Sequence, residues 1–139
     1  MVEFKLNERL EKETYPLLED DRFIIRLSKN ALFPWIIIIP KDKKIEFFQL
    51  EHHLQVETLT LINKYSNFLK TVIGVDKINI ASIGNIVSQL HIHIVGRYFN
   101  DPCFPNPVWG CEEFREYEEL ELENLIKKFE IIDPAFEEI

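Results

Sequence analysis

Residues 89 to 95 read Gln-Leu-His-Ile-His-Ile-Val, the tightest concentration of reactive side chains in the 139-residue chain. Gln89, His91 and His93 alternate with Leu90, Ile92 and Ile94. A period of two describes a half-buried strand, with its three polar side chains on one face and its apolar ones on the other. Two imidazoles and an amide aimed at one place suit three chemistries. They can ligate a metal, although a catalytic zinc needs a third protein ligand and none stands at a familiar spacing. One imidazole can move protons near neutral pH. Alternatively, an imidazole nitrogen can attack phosphorus while its neighbours cradle the phosphate oxygens. The reading without chemistry is an open sheet face with solvated histidines. The other two of the four histidines, His52 and His53, fall off the apolar stripe of a predicted helix and read as solvent-exposed.

Other elements must hold that heptad in place. Asn7 can cap a short helix over 8–13, which Pro16 ends. Residues 22–28 and 35–39 read as strands, the second central because it is apolar on both faces. Pro40 ends it, and 41–44 form a basic, solvated turn. From Leu50 to Val72 the period becomes helical: Leu54, Leu61, Tyr65, Phe68, Leu69 and Val72 form one stripe, and Gly74 supplies the stop. Residues 77–83 and 88–97 are the third and fourth strands, joined through a Gly84-Asn85 turn into an antiparallel hairpin with the histidine strand internal. Asn79 runs against β-propensity, which points to a hydrogen-bonded role near the site. Residues 101–110 form a loop stiffened by three prolines. A last amphipathic helix over about 112–131 carries Phe114, Tyr117, Leu125, Ile126 and Phe129. With no repeat, low-complexity tract or linker, residues 1–139 read as a single domain.

Composition narrows the partners. A net charge of −8, from 24 acidic and 16 basic side chains, does not suit a general nucleic-acid binder, whose affinity comes from Lys and Arg on phosphates. It leaves room for one small anion. The charged N-terminus has no signal-peptide core, and 35–39 is far too short to span a membrane. The expectation is a soluble cytoplasmic protein in which Cys103 and Cys111, eight positions apart, are reduced thiols.

Gln89 to Val95 followed by Gly96-Arg97 resembles the signature of the histidine-triad (HIT) family, His-φ-His-φ-His-φ-φ with φ apolar, and Gln89 stands in place of the first histidine. Gly84-Asn85 stands where members commonly carry Gly-Gln, and Asn30 matches the Asn or Asp that meets the nucleotide's ribose. Asn85, Val87 and Gln89 to His93, followed by Asp101 to Gly110, look like a bacterial subgroup described as diadenosine tetraphosphate hydrolase-like. The resemblance spans about 21–110. It implies an α+β fold, an antiparallel sheet of about five strands with the long helix packed on it and a C-terminal helix, and a homodimer. It implies that His91 is the nucleophile toward the α-phosphate of a nucleoside polyphosphate or phosphoramidate, with a nucleotidyl-histidine intermediate. His93 would contact the phosphate and assist the leaving group. The main-chain carbonyl of Gln89 would hold the Nδ1–H of His91 and leave Nε2 free.

The substrate contacts expected from motif and resemblance together are Asn30, Asn79, Gly84, Asn85 and Trp109, the last similar to a tryptophan that in relatives reaches the dimer partner's site. Trp35 stands where many active relatives carry another histidine; its indole can donate a hydrogen bond but cannot ferry a proton. Ser88 reads as a turn residue, and Arg97 as a surface residue or a phosphate ligand. No metal or cofactor is required. Two alternatives stay open: a catalytically weak nucleotide-binding or sensing module, and a metal-dependent hydrolase using His91 and His93. The physiological substrate and base preference are not legible.

Overall fold

Five segments rich in isoleucine, leucine and valine pair into one antiparallel sheet in the computed structural model, which describes residues 3–132. They are β1 (Thr14–Glu19), β2 (Phe23–Ser28), β3 (Trp35–Pro40), β4 (Lys77–Ala81) and β5 (Ile92–Arg97), in the order β1-β2-β3-β5-β4. The helices are α1 (Glu8–Glu13), α2 (His52–Phe68) and α3 (Glu119–Ile132). The α+β architecture, the five strands and the internal position of the histidine strand are as expected from sequence.

The strand β1 is the element that sequence reading missed. Its Pro16 reads locally as a stop, yet β1 lies at the edge of the sheet, where a missing N–H costs no ladder bond on the open side. The pairing with β2 shifts register between Pro16 and Leu18. The two central strands show why the sheet has two distinct faces. Ile36 and Ile38 of β3, and Ile92 and Ile94 of β5, face α2 in the main core, together with Ile25, Leu27, Leu54, Ile62, Tyr65 and Phe68. The alternate residues Ile37 and Ile39 pack instead with Leu6, Leu10 and Ile24, beneath the N-terminal segment and α1. Because Ile37 pairs with His93 across the ladder, the histidines belong to this second face. The period of two thus decides which side of the sheet carries the chemistry.

Leu54, Thr58, Ile62, Tyr65 and Phe68 make the buried stripe of α2. Val72, expected on that stripe, is exposed, because the chain leaves the α-helix for a wider turn over Leu69–Ile73 before Gly74. The final helix begins seven residues later than its periodicity suggested. Residues 30 and 31 capture the segment before it: Ala31 N–H donates to the Arg115 carbonyl at 2.7 Å, and Asn30 Nδ2 donates to the Glu113 carbonyl at 3.1 Å. Phe129 then seals the core against Phe68, with ring centroids 4.3 Å apart.

The loop after β5 is organised by one buried ion pair. Arg97 is only 1% exposed, so the expectation of a surface or phosphate-binding arginine is corrected. Its guanidinium donates to Asp101 Oδ2 and Oδ1 at 2.8 and 3.0 Å and to Asn79 Oδ1 at 3.0 Å. Asp101 also accepts the N–H groups of Tyr98, Cys103 and Phe104. Burial pushes the Asp101 carboxyl upward, but the Arg97 and backbone hydrogen bonds outweigh it and hold the group below the usual carboxylate range. The loop turned back by these bonds joins Cys103 and Cys111 as a disulfide, Cα atoms 6.2 Å apart, in place of the expected free thiols. No helix among the described residues is long and apolar enough to cross a membrane. Asp101→Asn should cost about 3–5 kcal/mol of unfolding free energy, because it leaves the Arg97 charge buried without its partner. Urea denaturation checks this, and a loss under 1 kcal/mol would mean that the pair does not carry the loop.

Candidate functional site

Leaving the β4–β5 ladder at Ala81 and His93, the chain between the two strands forms a loop that wraps over the site face. Gly84 takes φ +69°, a left-handed conformation that costs glycine nothing, and Asn85 follows it. The strand was expected to start at Ser88 but starts at Ile92, so Gln89 to His91 are free to make irregular hydrogen bonds. The Nδ1 of His91 lies 2.6 Å from the Gln89 carbonyl oxygen. A carbonyl only accepts, so Nδ1 carries the proton and donates it, and Nε2 keeps its lone pair. The expected arrangement of this imidazole is present in the main chain whatever side chain stands at position 89.

His93 is held in the opposite sense. The Trp35 indole Nε1–H donates to His93 Nδ1 at 3.0 Å. Indole is a donor only, so Nδ1 accepts and the ring proton sits on Nε2. Burial first, and then the neighbouring His91, lower the His93 pKa from its ordinary 6.5 to about 3. His93 is therefore a neutral imidazole with a fixed Nε2–H donor, not a group that exchanges protons near neutral pH. The two imidazoles meet edge to face with centroids 4.8 Å apart. One offers a lone pair at Nε2, and the other offers a proton. An electrophile that carries an oxygen acceptor satisfies both.

These rings line a cleft of about 380 Å³, within the range of small-molecule sites. Gly84, Asn85 and Trp109 line it with them. Trp109 packs within its own chain, its ring centroid 5.1 Å from His93 and 5.9 Å from Trp35. Asn30 lies in an adjoining cleft with Ser28, Trp35 and Phe114; its Oδ1 accepts from Leu32 and Arg115 N–H, which leaves one Nδ2 proton for a ligand. Asn79 is not brought to the histidines, because Arg97 takes its Oδ1. The Gln89 side chain also leaves the cleft, turning toward Lys5 and Asn7. The sequence reading missed the wall contributed by α1 and β1, namely Arg9, Leu10, Glu13 and Thr14, together with Ser28. The cap at Asn7 announced the helix, but no local signal announced where it docks.

A HIT domain family model matches residues 9–100. A histidine triad protein from Bradyrhizobium japonicum is 31% identical, with 92% of this chain and 96% of that one covered and a TM-score of 0.88. One from Sinorhizobium meliloti is 33% identical, with 94% and 97% covered and a TM-score of 0.88. One from Marinobacter aquaeolei is 32% identical, with 97% of each covered and a TM-score of 0.86. No curated protein matches the chain.

The His93 assignment has a direct readout. Nitrogen-15 NMR of the imidazole should show Nδ1 bare and Nε2 protonated, with no titration between pH 8 and 5. Trp35→Phe should let the tautomers mix. A protonated Nδ1 in the native protein would show that the indole bond is not made. The unfolded chain takes up a proton on His93 as pH falls below about 6.5, which the folded chain refuses until about 3. His93 thus lowers stability as pH drops through that window and leaves it unchanged above.

Proposed function

The chain belongs to the HIT-domain family, whose fold goes with nucleotide binding and with hydrolase or transferase activity, and we propose that it cleaves a nucleotidyl phosphate bond through a covalent intermediate on His91. The observation that carries this reading is the paired, opposite tautomers. His91 is held with Nε2 free, while His93 offers Nε2–H beside it. A nucleophile next to a neutral hydrogen-bond donor suits a phosphoryl centre, where an attacked phosphorus and its charged oxygens lie one bond apart.

In the proposed reaction, the Nε2 lone pair of His91 forms a bond to the α-phosphorus. The bond from phosphorus to the leaving group breaks, and the leaving group departs with the electron pair, as a phosphate anion or, for a phosphoramidate, as an amine that takes up a proton from solvent. Positive charge arrives on the His91 ring, where the Nδ1–H points at the Gln89 carbonyl dipole. His93 Nε2–H donates to a phosphoryl oxygen as negative charge builds there. Water then attacks the phosphorus of the nucleotidyl-histidine, the P–N bond breaks to restore the Nε2 lone pair, and the proton that water loses passes to solvent as the nucleotide is released. This role for His93 is electrostatic, since an imidazole with a pKa of about 3 carries no acidic proton at neutral pH. Adenylyl compounds are the proposed substrates, among them dinucleoside polyphosphates such as diadenosine tetraphosphate, and nucleoside phosphoramidates. Asn85, Gly84, Asn30 and Trp109 are the proposed substrate contacts.

A homodimer belongs to the same reading. Ile80 on the edge strand β4 is 52% exposed, and Leu59 on α2 is 49% exposed; a second copy would cover such side chains. Light scattering should give twice the 16.6 kDa of one chain, and a monomer at working concentration would refute this part. For the chemistry, intact-protein mass spectrometry with adenylyl substrates should show a nucleotidyl adduct in the native protein and none in His91→Ala. His93→Ala should lower kcat by about 10²–10³, the usual worth of one preorganised donor to a developing oxyanion. Nucleotide binding without adduct or product would replace catalysis with sensing.

A further inference from the structure

The side chain at position 89 makes two long-range hydrogen bonds to the backbone of one segment. Gln89 Oε1 accepts the Asn7 N–H at 2.8 Å, and Gln89 Nε2 donates to the Lys5 carbonyl at 2.9 Å. A carboxamide can do this because it presents a C=O and an N–H side by side, as the edge of a peptide does. The two nitrogens of an imidazole diverge and could not serve both groups. The segment so held is the start of α1. Asn7 caps that helix, its Oδ1 accepting the Arg9 N–H at 2.9 Å and its carbonyl accepting from Glu11 N–H at 3.0 Å.

The helix α1 in turn brings Arg9, Leu10 and Glu13 to the histidine cleft. Leu10 is buried with Ile37, a residue that itself lines the cleft. Arg9 and Glu13 pair at 2.9 Å and stay about half exposed, which makes them the polar rim of the wall. The other connection of the same residue runs to the histidine, through the main-chain carbonyl 2.6 Å from His91 Nδ1. Gln89 therefore touches His91 with its backbone and, with its side chain, the segment that leads into the α1 wall.

We propose that Gln89 is a positioning residue whose side chain fixes the α1 wall relative to His91 and so sets which leaving groups the cleft admits; this rests on the covalent reading above. A cleft of about 380 Å³ does not enclose a whole dinucleoside polyphosphate, and Arg9 and Glu13 line both it and the adjoining cleft, so in this reading the part of a long substrate that outgrows the first cleft crosses the Arg9–Glu13 rim. Its freedom to do so depends on how firmly α1 is pinned. The side chain contributes nothing to the tautomer of His91, which the carbonyl sets.

The test compares the native protein with Gln89→Met, close in size but without hydrogen bonds, and Gln89→Glu, which keeps the acceptor for Asn7 and loses the donor to Lys5. Two probes differ in leaving group: adenosine 5′-phosphoramidate, which is compact, and diadenosine tetraphosphate, which is bulky. In Gln89→Met the kcat/KM for the bulky probe relative to the compact one should rise about five- to tenfold, the worth of one to two neutral hydrogen bonds, with the change in KM. Gln89→Glu should fall between. Amide exchange over residues 5–13 should accelerate in Gln89→Met while the β5 amides keep their protection. An unchanged ratio, or the same loss on both probes, would overturn the specificity role, and unchanged exchange over 5–13 would overturn the clamp itself. If the native protein forms no adduct at His91, the proposed function and the leaving-group role fall together, and the exchange comparison still decides whether Gln89 holds α1.

Discussion

A buried imidazole has two ring nitrogens, and each needs a partner of matching polarity, because an unmatched polar atom away from water costs more than the bond it lacks. His91 and His93 are 6% and 7% exposed, so the protein had to settle which nitrogen of each carries the proton. It does so with one main-chain carbonyl and one indole N–H. Neither partner can reverse its role: a carbonyl never donates, and an indole never accepts. The site's electronic state is thereby written into groups that do not titrate. The surrounding fold serves mainly to keep those two partners where they are.

That support comes from two unlike layers. On the helix face, Ile36, Ile38, Ile92 and Ile94 meet α2 in a dry core that needs no directional contacts. On the histidine face, apolar cover comes from Leu6 and Leu10, and the remaining alignment is done by hydrogen bonds. At the far end of β5, the Arg97–Asp101 pair turns the chain sharply and sends Trp109 back over His93. One strand thus carries a nonpolar face, a reactive face and, at its end, a buried charge pair that aims the loop closing the site. A strand interior can do this because its side chains part company at every residue.

Local pattern made much of this legible. The alternation through Gln89–Ile94 gave the shared face of His91 and His93, and the apolar run Trp35–Ile39 gave a central strand. The stripe from Leu54 to Phe68 gave the covering helix. What escaped were features set by contacts distant in sequence. Pro16 read as a terminator because its edge position depends on the whole sheet order. The start of α3 was misplaced because Asn30 and Ala31 take hydrogen bonds with 113–115 that periodicity cannot foresee. Asn79 was rightly read as hydrogen-bonded, but its partner is Arg97, not a member of the histidine cluster. The docking of α1 rests on a contact between residues 82 to 84 positions apart. Period and propensity describe a residue's neighbours along the chain, and these contacts lie elsewhere.

The strand order β1-β2-β3-β5-β4 has a kinetic side. Two hairpin units, β1-β2-β3 and β4-β5, are built from pairings close in sequence, whereas the seam between β3 and β5 is not. The Trp35–His93 bond lies on that seam and spans 58 positions. Closing a loop of that length costs about 3–4 kcal/mol of chain entropy before any contact rewards it, so local hairpins form early and the seam is the slow junction. The pair of opposed imidazoles is therefore complete in neither half. It comes into being when the halves dock: a chain that has formed only its local structure can make the His91–Gln89 contact but lacks the indole bond that fixes His93.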